Sequence, residues 1–534
     1  MNRLTIALNA LAAAAALAAA LPARANAQQP QAERASFYLM LRGDTIFDER
    51  VSRTPTRLEG EFRERLRGAR VTYAATIDAR GLITRLDMRT FRAGVDTAGE
   101  PASFVAGADS LVARIGAAAP AHVPSAGGAL LVVNPSVAFI EQMVMHARLL
   151  GGDTVSMLIF VLGAPQPLVA TMRRIGADSV RLDYAGASMR LAVSATGRVL
   201  GGVIPAQGVT IARGPAGASL ALAPPDYGAP PGAPYTAEDV VVHTPEGIKL
   251  TGTLTIPRGR VMGRAPAIIT ITGSGPEDRD EQSGAIPGYR PFRELADTLG
   301  RRGIAVLRLD DRGVNGSDAG PPTVTSADFA NDIRAGVAYL RSRSEIDGAR
   351  IGIVGHSEGG IIAPMVASTD STIRGIVLMA GAASTGREIV AAQNLYVIDS
   401  IQHLTGAARD TAIARAGRAA DAAAAKLPWE EYFFNYDPAA RARQVKTPVL
   451  ILQGETDRQV PPSEAQKLAA AFRAGANREV TVRMFPATDH LFLADSSGAF
   501  MNANGRLRYA SLPSLHVRPE VLGAIADWLS VRLK

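Results

Sequence analysis

The sequence predicts an α/β fold with a mostly parallel sheet, preceded by a β-rich N-terminal domain, and three patterns along its 534 residues indicate this. Residues 33–223 mostly alternate apolar and polar side chains, as half-buried strands do. Residues 224–236, PPDYGAPPGAPYT, are dominated by proline and glycine and predict an interdomain linker. Over residues 237–534, short apolar runs alternate with helical patterns, which predicts a parallel sheet covered by helices on both faces.

The first 27 residues predict a secretory signal peptide. Basic Arg3, an apolar run over residues 4–21 and Ala-Asn-Ala at residues 25–27 follow one another in the order that such a peptide requires. We expect cleavage after Ala27 and an exported protein, periplasmic or extracellular. An uncleaved membrane anchor is the alternative, because the apolar run is nearly long enough to span a bilayer. No other segment has that length, so we expect no membrane span after cleavage.

Composition excludes several classes of function. The chain contains no cysteine, which excludes disulfide bonds, cysteine-ligated metals, a cysteine nucleophile and a cysteine-linked lipid anchor. Its formal net charge is +7, but the basic residues are spread along the chain and form no run, so we expect no nucleic-acid partner. His122 and His146 are isolated and lack the spacing of metal ligands. We therefore expect neither a metal nor another cofactor.

Strand patterns recur through the N-terminal domain. Residues 69–91, ARVTYAATIDARGLITRLDMRTF, alternate around a predicted turn at residues 78–81. Residues 178–202 alternate in the same way, with turns near 185–186 and 196–197. These patterns predict an antiparallel domain with one or two short helices, whose role the sequence does not indicate.

The C-terminal part opens with a predicted hairpin that turns at residues 245–247, and strands and helices then alternate. Predicted strands are APAIITITG, GIAVLRLD, IGIVGHS, GIVLMAG, TPVLILQG and EVTVRMFP, and predicted helices cover residues 325–343 and 519–533. Residues of about 386–445 carry helical patterns without a strand. An insert at this place lies above the carboxyl edge of the sheet, so we expect a helical cap.

The stretch IGIVGHSEGG matches the G-x-S-x-G pattern of a nucleophile elbow, with Ser357 between Gly355 and Gly359. In this turn between strand and helix, the serine is held in a strained conformation with its hydroxyl above the sheet. Side chains at the two glycine positions would collide with the neighbouring strand and helix. We therefore predict Ser357 as a catalytic nucleophile.

A serine needs a base, and the base needs an orienting acid, in the chain order Ser, acid, His. Asp457 follows the predicted strand TPVLILQG and His490 follows the next one, so both belong to the same sheet edge as Ser357. We predict His490 as general base and acid, and Asp457 as its orienting partner. Glu455 is the alternative acid, whereas Asp489 adjoins His490 and cannot easily reach its ring.

Other histidines fit the role less well. His403 belongs to the predicted cap, His516 precedes the last helix, and His243 lies on the early hairpin. His356, directly before the nucleophile, is expected to pack beneath the elbow.

An oxyanion needs two N–H donors. We predict the backbone N–H of Glu358, directly after the nucleophile, and one from the loop TITGSGPEDRDE, with Ser274 preferred and Gly275 next. That loop lacks the patterns of a phosphate or dinucleotide loop. The stretch LDDRGVNGSD is expected to brace it, with Asp311 and Arg312 in structural roles.

Several of these loops together resemble a known family. GSGPEDRDE, GIAVLRLDDRGVNGSD, TSADFANDIRAGVAYLRSR, IGIVGHSEGGIIAPMVA, PVLILQGETDRQVP and TDHLF look like the bacterial α/β-hydrolases of the EstD-type carboxylesterase group, over residues 237–534. The resemblance implies an α/β-hydrolase fold and a carboxylesterase that uses Ser357, Asp457 and His490 without metal or cofactor. Members are often described as prolyl-oligopeptidase-like hydrolases.

Three functions follow as hypotheses. The first is an exported serine carboxylesterase that cleaves small-molecule esters through an acyl-enzyme. The second keeps the chemistry but acts on peptides, as prolyl oligopeptidases do; those carry a β-propeller, and no blade repeat is visible here. The third is a ligand-binding protein on a hydrolase scaffold, which the presence of all three predicted catalytic residues disfavours. The sequence predicts no particular oligomeric state.

Overall fold

The computed structural model describes residues 32–534 apart from 42–43, 65–68, 92–98, 108, 117–118, 125–127, 163–165, 185, 216–225, 259–262, 283–285, 287, 426, 502–507, 510–511 and 513. The predicted signal peptide and its cleavage site after Ala27 lie outside these residues. Among the helices of the described part, none combines the length and the hydropathy needed to cross a bilayer.

The described N-terminal strands are β1 (Glu33–Leu41), β2 (Asp44–Arg53), β3 (Arg57–Glu64), β4 (Ala69–Ile77), β5 (Ile83–Phe91), β6 (Glu100–Ala106), β7 (Ser110–Ile115), β8 (Ala121–Pro124), β9 (Leu130–Val132), β10 (Thr154–Val161), β11 (Leu168–Arg174), β12 (Ser179–Tyr184), β13 (Ala187–Val193), β14 (Val199–Ile204) and β15 (Val209–Gly214). They form one sheet in the order β8-β7-β6-β5-β4-β3-β2-β1-β15-β14-β13-β12-β11-β10-β9. Neighbours are antiparallel except β9 and β10, which are parallel. The chain thus runs outward to one edge, crosses to the other edge, and returns to β15 beside β1.

Helix α1 (Val137–Leu150) connects β9 to β10 and contacts β2, β9, β10 and β14. The ring of Phe139 packs edge-on against Tyr73 of β4, with 5.3 Å between the ring centroids. The Tyr73 hydroxyl donates to the buried carboxylate of Glu49 at 2.6 Å, and Glu49 also accepts the N–H of Ala138 at 3.0 Å. These contacts fix the start of α1 on the sheet, and they confirm the prediction of a β-rich domain with little helix.

The C-terminal strands are β16 (Tyr235–His243), β17 (Lys249–Pro257), β18 (Ala265–Ile271), β19 (Ala305–Leu309), β20 (Ile346–His356), β21 (Gly375–Met379), β22 (Val449–Gly454) and β23 (Val480–Phe485). Their order in the sheet is β16-β17-β19-β18-β20-β21-β22-β23. The pairs β16–β17 and β17–β19 are antiparallel, and every later pair is parallel. Strands β18, β19, β21 and β22 are buried at every residue, which explains why most of their residues are apolar.

Helices cover both faces of this sheet. Helices α2 (Pro291–Arg301) and α10 (Pro519–Arg532) contribute to one hydrophobic core. Helices α3 (Ser326–Ser342), α4 (Glu358–Ala367) and α9 (Ser463–Ala474) contribute to a second core, on the opposite face. The prediction of a mostly parallel sheet with helices on both faces is therefore confirmed.

Between β21 and β22 the described chain is helical. It forms α5 (Gly386–Tyr396), a π-helical turn (Val397–Ile401), α6 (Gly406–Ala424), α7 (Pro428–Asn435) and α8 (Pro438–Ala442). These elements occupy the region predicted as a cap. Helices α5, α6 and α7 contact one another, so they form one small layer.

The described part of the predicted linker, from residue 226 onward, is attached to the C-terminal domain. The Tyr227 hydroxyl donates to Asp278 Oδ2 at 2.9 Å, and its ring lies 4.2 Å from the Arg279 guanidinium carbon. Strand β16 already begins at Tyr235, so it includes the last two residues of the predicted linker. The prolines and glycines before Tyr235 made the whole stretch look like a linker. In the structure Tyr235 and Thr236 already pair with Pro257 and Ile256 of β17.

Candidate active site

Ser357 lies between the end of β20 and the start of α4, with φ 53° and ψ −112°. This conformation is strained for a residue with a side chain and is the conformation of a nucleophile elbow. A Cβ atom added to Gly355 would lie 2.1 Å from the carbonyl oxygen of Gly359. One added to Gly359 would lie 2.3 Å from the carbonyl oxygen of Ile271 on β18. The tight turn therefore requires both glycines.

The structure brings the predicted partners of Ser357 to its hydroxyl. His490, in the loop after β23, has its Nε2 atom 3.1 Å from Ser357 Oγ. Its Nδ1 atom lies 2.8 Å from Oδ2 of Asp457, in the loop after β22. His490 is 5% exposed and Asp457 is fully buried, so this chain of hydrogen bonds is largely shielded from solvent.

Four donors surround the carboxylate of Asp457. Oδ2 accepts from the side-chain amide of Gln453 at 2.8 Å as well as facing His490. Oδ1 accepts the backbone N–H groups of Gln459 at 2.8 Å and Val460 at 2.9 Å. This arrangement fixes the orientation of the carboxyl group.

The alternative acids lie elsewhere. Glu455 is exposed. Asp489 turns back on its own loop, where Oδ1 accepts the N–H groups of Leu491 at 3.0 Å and Leu493 at 2.8 Å. Its pKa is raised to about 7, chiefly by burial.

The other histidines named in the sequence also lie apart from the Ser357 hydroxyl. His243 and His403 are exposed, and His516 is exposed and faces Glu294. His356 is buried with its ring 4.9 Å from that of His490, and it contacts Glu281 and the backbone of His490.

The loop after β18 lies against Ser357. A Cβ atom added to Gly273 of this loop would be 3.5 Å from the Cβ atom of Ser357. The N–H of Gly273 donates to carboxylates of Glu277 at 3.1 Å and Glu281 at 3.0 Å, so it is occupied. Ser274 lines the same cavity as Ser357. Gly275, the other predicted donor from this loop, instead lines a small neighbouring cavity. Glu358, the predicted donor after Ser357, lines the main one.

Asp311 and Arg312, which the sequence predicted as structural, hold this loop and its surroundings. Asp311 accepts the hydroxyl of Thr272 at 2.7 Å and the N–H of Glu277 at 3.0 Å. Arg312 forms a two-point ion pair with Asp332 of α3, at 2.6 and 2.7 Å.

The carboxyl group of Glu358, the residue directly after Ser357, is buried. Its Oε1 accepts from the Ser326 hydroxyl at 2.6 Å and from the indole N–H of Trp429 at 2.9 Å, and the Ser274 side chain also bonds to the group. Burial raises the pKa of Glu358, although these hydrogen bonds oppose the rise. The residue thus links the elbow to the loop after β18, to α3 and to the cap.

A cavity of about 490 Å³ opens over Ser357 and is roofed by the cap. The indole of Trp429 stacks on Phe433 with 5.3 Å between centroids and 6° between planes. Most other cap residues that line it are apolar: Ile389, Val390, Ala420 and Phe434, beside Gln393 and Glu430. Within the described residues, no group of three or more His, Asp or Glu side chains is arranged to hold a metal ion.

Sequence reasoning missed three supporting residues. Gln453 and Trp429 lie in stretches that were assigned only as a strand end and a cap helix, and Glu281 belongs to the loop after β18. The aromatic run PWEEYFF was the one available signal for a pocket roof at Trp429.

Comparisons with known proteins agree with this architecture. The profile of the Alpha/beta hydrolase family matches residues 285–503. Esterase EstD of Thermotoga maritima is 27% identical over 317 residues, which are 57% of this chain and 69% of that protein. Dipeptidyl aminopeptidase BIII of Pseudoxanthomonas mexicana is 26% identical over 266 residues, which are 48% of this chain and 35% of that protein.

Among solved structures, an esterase of Pyrococcus furiosus is similar at 18% identity and a TM-score of 0.39, covering 56% of this chain and 92% of its own. The sheet order and the family profile both indicate that the C-terminal part is an α/β hydrolase, and one of its relatives is an esterase. The C-terminal part of the chain therefore contains a domain of the Alpha/beta hydrolase family.

Proposed function

We propose that this chain is an exported serine carboxylesterase, which cleaves carboxylic esters through an acyl-enzyme intermediate. The observation that carries the proposal is the position of His490, with Nε2 3.1 Å from Ser357 Oγ and Nδ1 2.8 Å from Asp457 Oδ2. A serine hydroxyl becomes nucleophilic when a base accepts its proton. This geometry supports His490 as that base and Asp457 as the group that fixes its tautomer and stabilises the imidazolium.

In the proposed first half-reaction, Ser357 Oγ attacks the ester carbonyl carbon while His490 takes the hydroxyl proton. The N–H of Glu358, the first residue of α4, has no partner within its helix and can donate to the resulting oxyanion. Ser274 is the preferred second donor because it lines the cavity with Ser357. Loss of one such donor raises a barrier by about 3–4 kcal/mol.

Collapse of the tetrahedral intermediate breaks the bond to the alcohol, which leaves with the proton held by His490. Water then enters, loses a proton to His490 and attacks the acyl-enzyme carbonyl. The acid departs and the proton returns to Ser357 Oγ. This scheme needs only protein groups and water.

The cavity suggests the substrate class. Apolar and aromatic residues of the cap favour short to medium acyl chains over charged ones.

The proposal also includes the domain organisation predicted from the sequence. It comprises a signal peptide over 1–27, a β-rich domain over 33–223, a linker over 224–236, and a catalytic domain over 237–534 with its cap at about 386–445.

A serine peptidase is the second candidate, because one relative is a dipeptidyl aminopeptidase. Prolyl oligopeptidases place a β-propeller of separate blades before the hydrolase domain. Within the described residues, β1 to β15 instead form one continuous sheet, which favours the esterase.

The test compares wild-type protein with Ser357→Ala on p-nitrophenyl acetate, butyrate and hexanoate, and on aminoacyl and prolyl p-nitroanilides. We expect ester hydrolysis by the wild type, a loss of about 10⁶-fold in kcat in the variant, and an unchanged circular dichroism spectrum. A fluorophosphonate label should map to Ser357. Unchanged ester turnover in Ser357→Ala would refute the serine mechanism, and faster anilide than ester turnover would favour the peptidase.

A further inference from the structure

Both ring nitrogens of His356 face hydrogen-bond acceptors. Nδ1 lies 2.6 Å from Glu281 Oε1, and Nε2 lies 2.9 Å from the backbone carbonyl oxygen of His490. The side chains of His356 and Glu281 are 4% and 2% exposed. A neutral imidazole has one N–H and can satisfy one acceptor, so this arrangement requires a second proton. Either the ring is an imidazolium, or Glu281 is protonated and donates to Nδ1.

The same oxygen of Glu281 also holds the start of its own loop, the loop after β18. Oε1 also accepts the N–H of Gly273 at 3.0 Å, and Gly273 lies against Ser357 and directly precedes Ser274. Glu281 adopts φ 62°, a left-handed conformation that a residue with a side chain keeps only where its surroundings enforce it. One carboxyl oxygen therefore joins the loop after β18 to His356, and His356 joins that oxygen to the backbone of His490.

We propose that Glu281 and His356 are positioning residues that share a buried proton and thereby hold the loop of Ser274 and the loop of His490 on either side of Ser357. The proposal rests on the serine-hydrolase function proposed above. Neither residue transfers a proton to or from the substrate; each acts through the group that it holds.

The surrounding charges favour retention of this proton. Burial by itself opposes a charged ring, but the Glu281 carboxylate, the His490 carbonyl and the more distant Asp457 outweigh it and leave the pKa of His356 raised. Other titratable groups near the pair are Glu277 and Asp311 beside Glu281, Tyr289, Asp489 on the loop of His490, and Glu358 on α4. Burial raises the pKa of Glu277, Asp311, Glu358 and Asp489, so the charge that favours a cation at His356 comes chiefly from Glu281.

Glu281→Gln is the sharpest substitution, because an amide cannot reproduce the carboxylate. If the amide oxygen of the new glutamine takes the Oε1 position, it accepts from the Gly273 N–H and from the His356 Nδ1–H, and the unprotonated Nε2 of His356 then faces the His490 carbonyl. If the amide nitrogen takes that position, it donates to His356 Nδ1, but its N–H groups face the N–H of Gly273. Since one contact is lost either way, we expect kcat on p-nitrophenyl butyrate to fall about 100-fold, the effect of displacing a reacting group by 1 Å, with KM within about threefold.

Two further measurements separate positioning from general damage to the fold. The double variant Glu281→Gln/His356→Asn should lose about as much activity as either single variant, because the residues act as a unit. In wild-type protein at pH 8, the short bond between His356 and Glu281 should give a far-downfield ring N–H proton resonance, absent from both single variants and retained in Asp457→Asn. His146→Asn, at a buried histidine of the N-terminal domain that faces Arg80, is the matched control and should keep full activity.

Outcomes for this pair are distinct from those for the proposed function. Three results would each overturn the positioning role. The first is that Glu281→Gln keeps the wild-type kcat and the wild-type rate of fluorophosphonate labelling. The second is an additive loss in the double variant, and the third is the absence of the downfield resonance from the wild-type protein. Ser357→Ala would still inactivate the protein in those cases. If His356→Asn does not fold, Glu281→Gln, which is nearly isosteric, decides the question through its kcat and labelling rate.

Discussion

The indole N–H of Trp429 donates a 2.9 Å hydrogen bond to the carboxyl group of Glu358, the residue that follows Ser357. Trp429 belongs to α7 of the cap, and Glu358 begins α4 of the core domain. One buried carboxyl group therefore contacts both the roof of the cavity and the start of the helix that follows Ser357. Substitutions at this contact can separate substrate binding from chemistry.

Removal of this bond by Trp429→Phe is expected to weaken the binding of long acyl chains. The phenyl ring can still stack on Phe433, but it has no N–H group, so the cap loses its polar attachment to Glu358. A hydrogen bond to a charged group contributes about 1.5–3 kcal/mol, so we expect KM for p-nitrophenyl hexanoate to rise about tenfold or more. KM for p-nitrophenyl acetate, whose acyl chain is too short to reach the cap, should change less than about twofold.

The chain's other tryptophan, Trp528, is the matched control for this prediction. It lies on α10, where its ring packs against Gly375 and near Arg532, away from the cavity lining. Trp528→Phe should leave both KM values unchanged. An equal rise for acetate and hexanoate in Trp429→Phe would contradict a role of the bond in acyl-chain binding.

Much of the fold could be predicted from the sequence, because each buried position of a strand favours an apolar residue. Strands β18, β21 and β22 are buried on both faces, so nearly all of their positions are apolar or small and the run is visible without any tertiary knowledge. Their neighbours in the sheet could not be predicted in this way. The exchange of β18 and β19 in the sheet order depends on how the chain crosses, which no local pattern records.

The same contrast holds for the site. Chain order and strand ends were enough to nominate Asp457 and His490, because parallel strands bring their carboxyl ends to one edge. The contact of Glu281 with His356 joins residues 75 apart and depends on a left-handed backbone at a glutamate, which sequence preferences disfavour. Trp429 reaches Glu358 across 71 residues for the same reason: only the folded cap brings them together.

Asp457→Asn should reduce kcat about 10⁴-fold while leaving KM nearly unchanged. The amide can present an N–H to Nδ1 of His490, which places the imidazole proton on Nε2 and removes the base that faces Ser357 Oγ. Steady-state kinetics on p-nitrophenyl butyrate at pH 8 measure this loss. Glu455→Gln, at the exposed alternative acid, is the control and should retain full activity; the reverse pattern would move the acid role to Glu455.

Gly359→Ala is expected to prevent correct formation of the elbow. The new Cβ atom would lie 2.3 Å from the carbonyl oxygen of Ile271 and 2.7 Å from that of Thr272, both backbone atoms that cannot move aside cheaply. We expect a lower thermal midpoint or insoluble protein, and loss of fluorophosphonate labelling. Gly523→Ala on α10, where nothing lies within 4 Å of the new atom, should instead stabilise the protein by about 0.5–1 kcal/mol. Equal midpoints in the two variants would contradict the steric argument.

Asp489→Asn should make the protein's thermal stability less dependent on pH. Burial raises the pKa of Asp489 to about 7, and its Oδ2 has no partner, so the folded state keeps a proton that the unfolded chain has already released above about pH 4. Wild-type stability therefore falls as pH rises from about 4 to 7, whereas the amide does not titrate. One pKa unit corresponds to about 1.4 kcal/mol of unfolding free energy, or about 3–5 °C in the thermal midpoint of a domain of this size. The midpoint of Asp489→Asn minus that of the wild type should therefore be several degrees higher at pH 8 than at pH 5. Any fixed cost of the unpaired amide cancels in that difference, and an identical difference at both pH values would refute a buried, protonated Asp489.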